Sequence, residues 1–466
     1  MFETDKTLQP QLFAFTPRDL VSPESDIWLY MDLFESLDLS RFHKNYRGQG
    51  QLAKEPKLML RTIFYGLTHG IVTGRKLESA CRNDNRFIVL SGDIRPDRRT
   101  LNRFFDRHQS LMREFFADIV RMAQKMDLVS LGQIALDGSR FKGQTSRSSM
   151  KYGKMQRAIS HIEANLDQLR ADVRAENASG TSKDTLPREI IDQERRLARI
   201  KQAAAAIEAE YRDRRGHKKS EIPDEESRKS LNDPDALFLS HKSRGLEVGY
   251  NVQAAVEEKN QIIVAAHVHT KASDSEALPK LLDEVEETCK ETPGRVLADL
   301  GYKSAANVQD IESRNADCYI AAGSDTHKEL EVEFFEQITP IDGTGDYRCL
   351  QGKTLKVRSR RKDSGRIEFY LSKDFCTNCP FGTTCKAFGK KVITIMKEAD
   401  REAIARLHAR SRTEEFKEVY RRRKAIVEPV FGNIKNKGMS ILVVGREKVT
   451  AWWFMACTAH NIEKII

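Results

Sequence analysis

The sequence predicts a mixed α/β fold, a sheet of antiparallel and parallel strands wrapped by helices, behind an all-helical N-terminal module. Three observations point there. Residues 26–125 read almost wholly as helix. From residue 131 onward, strand-like apolar runs alternate with helix-period stretches, the pattern of a sheet with crossover helices. Two stretches, 151–230 and 324–398, break that alternation with patterns of their own. The expected organisation is therefore a helical module over 1–125 and an α/β unit over 131–466, the latter carrying a helical insertion at 151–230 and a cysteine-containing insertion at 324–398. At 466 residues the chain is long enough for several substructures.

In the N-terminal module, charge is unevenly placed. Residues 1–40 carry two Lys/Arg against eight Asp/Glu, whereas residues 41–110 carry fifteen against six, within a net charge of +10. Pro96-Asp97 is a helix start, with Asp97 as cap. Beyond it Leu101, Phe104, Phe105 and His108 share one face, and Arg99, Arg103 and Arg107 recur on another. A helix, a short turn and this basic amphipathic helix make a helix-turn-helix arrangement whose final helix suits a DNA groove. A solvated arginine face on an ordinary bundle is the competing reading. A second basic run, "YRRRKAIVEPVFGNIKNKG", lies further along. Two basic regions in one chain suggest a polyanionic partner.

Within 151–230, Ile159, Ile162, Leu166, Leu169 and Val173 alternate spacings of three and four, as do Leu197, Ile200, Ala204, Ile207 and Tyr211. The breaker "ASGTSKDTLP" separates them, so an antiparallel helical hairpin is expected. Strand signals then return. "GLEVGYNVQAAVE" (245–257) and "QIIVAAHVH" (261–269) read as a β-hairpin. "SDSEALPKLLDEVEETCKE" is a helix capped by Ser273 or Asp274. "RVLADLGY" (295–302) is a strand, "SAANVQDIESRN" a helix and "DCYIAA" a strand, ahead of a final helical region.

The chemistry is carried by carboxylates. In "LGQIALDGSRFKG" Asp137 closes the apolar run Ile134-Ala135-Leu136, and a carboxylate there is costly to desolvate unless it is paired, protonated or bound to a cation. Asp299 in "VLADLGY" repeats the pattern, closing a strand ahead of Gly301. Glu428 in "RRRKAIVEPVFGNIK" is the third acid; on a helical wheel it lies near Lys424, Phe431 and Lys435, and Pro429 predicts a kink or helix restart beside it. By itself Glu428 fits an intrahelical ion pair. Together Asp137, Asp299 and Glu428 suit a pair of Mg²⁺ ions, which take hard oxygen ligands and leave positions for water and phosphate. The basic side chains expected on DNA are Arg98, Arg99, Arg103, Arg107, Arg422, Arg423, Lys424 and Lys435.

Four cysteines, Cys349, Cys376, Cys379 and Cys385, lie in the second insertion, and the Cys-x-x-Cys pair is half of a tetrahedral Zn²⁺ site. Reduced packed thiols are the alternative. His267 and His269 alternate along a strand without matching ligands, and Trp452 and Trp453 read as packing residues. The start "MFETDKTLQP" lacks the basic head and apolar core of a signal peptide, and no apolar run reaches membrane-spanning length. A cytoplasmic location with no membrane partner is the expectation.

Taken in order, these motifs resemble a family, the bacterial insertion-sequence DDE transposases with an RNase H-like catalytic core. The likeness runs through "YGLTHGIVTGRKLESACRNDNRFIVLSGDIRPDRRTLNRF", "IALDGSRFKG", "DPDALFLSHKSRGLEVGYNVQAAVE", "VLADLGYKS", "FCTNCPFGTTC", "YRRRKAIVEPVFGNIK" and "WWFMACTAHNIEKI". The resemblance implies that Asp137, Asp299 and Glu428 are metal-binding catalytic acids, served by Mg²⁺ or Mn²⁺. It also implies double-stranded DNA partners, terminal inverted repeats and target, and a homodimer or higher synaptic assembly. Many relatives carry a Tyr, Arg, Glu, Lys signature. Here Glu428 and Lys435 keep its spacing, Lys424 replaces Arg, and Tyr420 stands one position off with Arg421 in its place. The rival functions are a non-enzymatic DNA-binding relative that has lost cleavage, and a structural scaffold.

Overall fold

The computed structural model describes residues 16–46, 53–144, 149–179, 186–213, 223–241, 245–323, 334–335, 337–360, 366–372, 374–382, 384–385 and 387–466. Among the described residues, seven α-helices form the N-terminal module: α1 (Ile27–Ser36), α2 (Ser40–His43), α3 (Pro56–Thr68), α4 (Gly74–Asn83), α5 (Asn85–Leu90), α6 (Arg98–His108) and α7 (Met112–Lys125). Phe34, Phe64 and Phe115 meet at its centre, with ring centroids 5.2–6.3 Å apart. Helix α6 starts where the sequence puts it. Asp97 accepts a hydrogen bond from the Thr100 amide at 2.7 Å, satisfying a donor of the first turn. Leu101, Phe104 and His108 are buried, and Arg99, Arg103 and Arg107 face outward.

The sheet begins with β1 (Ile134–Lys142) and continues through β4 (Leu237–His241), β5 (Gly245–Glu257), β6 (Ile263–His269), β7 (Arg295–Ala298) and β8 (Asp317–Ile320). Its order is β4-β5-β1-β7-β8, with β6 also pairing β5. The pairs β1·β5, β4·β5 and β5·β6 are antiparallel, and β1·β7 and β7·β8 are parallel. Helices α10 (Leu278–Cys289) and α11 (Ala305–Ser313) supply the crossovers. This is the RNase H-like mixed sheet with a helical module ahead of it.

Between β1 and β4 the chain leaves the sheet through the short pair β2 (Ser149–Lys151) and β3 (Arg228–Ser230), which frame α8 (Tyr152–Ser179) and α9 (Leu186–Asp213). Lys201–Glu163 at 2.6 Å and Arg170–Glu194 at 2.8 Å cross between the two helices in antiparallel sense. Met155, Ile162, Leu166, Ile200, Ala204 and Ile207 fill a core of their own. Most of the breaker "ASGTSKDTLP" lies outside the described residues.

The second insertion folds into two small sheets from β9 (Thr339–Pro340), β10 (Tyr347–Arg348), β11 (Thr354–Leu355), β12 (Val357–Arg360), β13 (Ile367–Tyr370) and β14 (Val392–Ile395). Phe334, Leu355, Phe369, Ile393 and Ile395 bury their side chains there. The chain then returns as α12 (Glu398–Ser411), α13 (Glu414–Arg421), α14 (Arg423–Asn436) and α15 (Arg446–Ile465).

Two details of this region position the site. The expected break at Glu428–Pro429 falls instead at Arg422, between α13 and α14, and Pro429 sits inside a continuous helix. The carbonyl that Pro429 leaves without a backbone donor, that of Ala425, accepts from Gln261 Nε2 at 2.9 Å, so the missing bond is replaced from the sheet side. Helix α15 braces the strands. Trp453, fully buried, stacks on Phe431 at 5.9 Å and donates its indole N–H to the Gln253 carbonyl at 3.0 Å. Asn461 bonds both the N–H and C=O of Ile263, each at 2.8 Å, closing backbone groups on β6 that no strand pairs.

Candidate active site

Parallel pairing sets the two aspartates abreast. Ile134 is opposite Val296 and Ala135 opposite Leu297. The same offset carries Asp137 opposite Asp299, where β1 passes the end of its pairing with β7. Asp137 follows three fully buried residues, and one of its oxygens accepts from the Gly138 amide at 3.0 Å. Asp299 caps a short turn over Leu300–Tyr302, accepting from the Gly301 amide at 2.8 Å.

Arg423, at the start of α14, brings its guanidinium to both acids, 3.0 Å from Asp137 and 4.0 Å from Asp299. It is buried, and its Nε finds no hydrogen-bond partner among the described residues. Burial pushes the Asp137 carboxyl up to about 6; Arg423 opposes the shift, and Asp299 and Asp274 add to it. Tyr420, half-buried and stacked on Phe416 at 5.6 Å, feels the same group of charges, and burial pushes its hydroxyl up.

Glu428 stands on α14, exposed, and among the described residues makes no hydrogen bond or ion pair. The structure thus brings Asp137, Asp299 and Arg423 together and leaves Glu428 facing solvent on the same helix as Arg423. Helix α14 runs beside β1: Arg423 reaches Asp137, and further along Lys435 lies 5.4 Å over the Phe141 ring. Arg98, Arg99, Arg103, Arg422 and Lys424 are exposed, while Arg107 lies 4.5 Å over the Tyr46 ring.

One acid was legible only as a possible helix cap. Ser273 takes the capping role, accepting from the Ser275 amide, and Asp274 turns toward the aspartates. Its Oδ1 accepts from Asn251 Nδ2 and Gln253 Nε2, each at 2.7 Å. Gln253 in turn accepts from the fully buried Tyr302 hydroxyl. The available signal was "YNVQAAV", two polar residues at strand period inside a buried strand.

Hard carboxylate oxygens fit a divalent cation in kind, and the guanidinium beside them competes with one for the same negative charge. Among the described residues, however, no three His, Cys, Asp or Glu side chains stand in an arrangement that holds a metal ion. At the aspartates, Arg423 takes the position of a counter-charge. Cys349, Cys376, Cys379 and Cys385 do converge on one small cavity, although not as a ready ligand set. His267, half-buried, and His269, buried, lie on β6, their Nε2 atoms without a hydrogen-bond partner among the described residues, and burial pushes His267 down to about 4. No described helix is long and apolar enough to cross a membrane.

No curated protein and no solved structure matches the chain. Residues 17–107 match a family model described as a transposase domain (DUF772), and residues 214–462 match the transposase DDE domain. Asp299 and Glu428 lie inside the second match, and Asp137 lies between the two. With more than half its length matched to that one model, the chain belongs to the transposase DDE-domain family of insertion-sequence transposases.

Proposed function

We propose that the protein cuts and joins DNA strands at the ends of its own insertion sequence, using Asp137, Asp299 and Glu428 around divalent cations. The observation that carries this reading is the pair of aspartates abreast on adjacent parallel strands, half-buried and facing a guanidinium. Asp137, inside β1 where its pairing with β7 stops, and Asp299, just past β7, would hold the cation, with Glu428 joining from α14. Mg²⁺ or Mn²⁺ bound there, two ions in the full site, supplies Lewis acidity to activate water or a 3′-hydroxyl and to stabilise the leaving oxygen at phosphorus. Water attacks the phosphodiester at the element end; the freed 3′-hydroxyl then attacks target DNA. Arg98, Arg99, Arg103 and Arg107 hold the terminal repeats through their phosphates, and Arg422, Lys424 and Lys435 hold DNA near the acids. Bringing two ends together requires a dimer or larger assembly. The four converging cysteines are proposed to close on a structural Zn²⁺ by moving inward.

The position of Arg423 favours one second reading, a DNA-binding relative that no longer cleaves, in which the guanidinium is the permanent counter-ion. Strand cleavage of DNA carrying the element's ends separates them. Wild type with Mg²⁺ is expected to cut. EDTA, Ca²⁺, Asp137→Asn, Asp299→Asn and Glu428→Gln are each expected to abolish cutting with end binding retained. A folded wild type that binds the ends and never cuts them selects the second reading.

A further inference from the structure

We infer that Asp274 is an additional acid of the same cation site, sharing the ion with Asp137 and Asp299. This inference rests on the metal-dependent reading above.

Its first support is orientation. Asn251 and Gln253, both buried on β5, donate to Oδ1 of Asp274 at 2.7 Å. Among the described residues no side chain or backbone donor reaches Oδ2. That free oxygen points at the turn of Asp299. A Cβ placed on Gly301 would lie 3.3 Å from Asp274 Oδ2 and 3.0 Å from Asp299 Oδ1. The two carboxylates therefore flank one point, which a side chain at residue 301 would fill.

The second support comes from the opposite side. A Cβ on Gly138, next to Asp137, would lie 2.3 Å from Gln253 Nε2 and 3.0 Å from Asp274 Oδ1. Glycine follows Asp137 because the amide that holds Asp274 occupies that space. Two buried amides spent on fixing a carboxylate are the kind of support that orients a ligand rather than a fold contact.

The test is Mn²⁺ binding by titration calorimetry, without DNA, at about pH 8, with the full chain. Wild type is compared with Asp274→Asn, Asp137→Asn and Asp299→Asn, and unfolding in EDTA checks the fold of each. Asp274→Asn is expected to weaken Mn²⁺ binding about tenfold or more, as Asp137→Asn does, with no loss of stability in EDTA. Unchanged affinity in Asp274→Asn beside weakened binding in Asp137→Asn overturns the inference and leaves the metal-dependent reading standing. Unchanged affinity in all three variants, or no binding by wild type, overturns that reading and the inference with it. Should the asparagine variant fail to fold, Asp274→Glu is the second probe. It keeps the charge but is one methylene too long to hold both amide bonds and the ion, so affinity again falls; an unaltered value overturns the assignment.

Discussion

Asp137→Asn asks what the carboxylate costs the protein when no divalent cation is bound. Burial holds this carboxyl at about 6 rather than 3.8 even though Arg423 lies beside it. Its side chain is 22% exposed, so solvent screens it little. Ionising it in the folded protein rather than in the unfolded chain therefore costs about 3 kcal/mol. The folded value is the raised one, which sets the direction. Below 3.8 the group is neutral in both states and costs nothing. As pH climbs through about 6 the unfolded chain ionises first and stability is lost; above that the full cost persists. Asparagine imitates the neutral form at every pH. In EDTA, urea unfolding followed by circular dichroism should give nearly equal stabilities at about pH 3. By about pH 8 the variant should lead by up to about 3 kcal/mol. Taking the difference between the proteins removes Glu284, which burial pushes up to about 7 in both. Adding Mn²⁺ at the higher pH should stabilise wild type more than the variant. A difference that does not change with pH, or a variant less stable than wild type at pH 8, would refute the reasoning, since Asp137 would then gain more from Arg423 than burial takes away.

Further outcomes are expected elsewhere in the molecule. Gly138→Ala forces a methyl group to within 2.3 Å of Gln253 Nε2 and should cost about 1–3 kcal/mol in thermal unfolding; an unchanged melting temperature would show that the amide can move aside freely. Arg99→Ala and Arg103→Ala, on the exposed face of α6, should each lower the slope of log affinity for the terminal repeats against log salt by about 1. A slope unaltered in both variants takes α6 off the DNA backbone. Metal analysis of the purified protein should find about one zinc per chain, lost in Cys376→Ser and Cys379→Ser; no zinc in wild type assigns the four thiols to packing.

Much of the frame was legible because it depends on local pattern. Strand β5 spans 245–257, as its β-rich run predicts, and α6 begins after Asp97 because that side chain caps it. Asp299 was legible as a strand-ending acid, whereas Asp137 ends only the apolar run: β1 continues to Lys142 because its ladder with β5 does, and the parallel register of β1 and β7 sets the two acids side by side. What escaped depends on partners distant in sequence. Arg423 is one of three consecutive arginines, and nothing local says that it alone turns inward; the start of α14 at Arg423 decides that. The helix break was misplaced because Pro429 predicts a lost hydrogen bond, while the rescue comes from Gln261 on a loop far away in sequence. Asp274 read as a cap since its amide partners sit on β5, across a pairing that the sequence of the turn does not encode.

The indole of Trp453 and the backbone of Gln253 are 200 residues apart along the chain, and Asn461 reaches Ile263 over 198. The strands that orient the acids are thus finished by a helix made long after them. During synthesis, the sheet emerges with the Ile263 backbone groups open and the bed of Gln253 unbraced, and contacts of such sequence separation form slowly. A nascent chain stalled before Arg446 would carry Asp137 and Asp299 without the helix that steadies them. The two aspartates are thereby braced only once translation has passed that helix, a delay written into chain order.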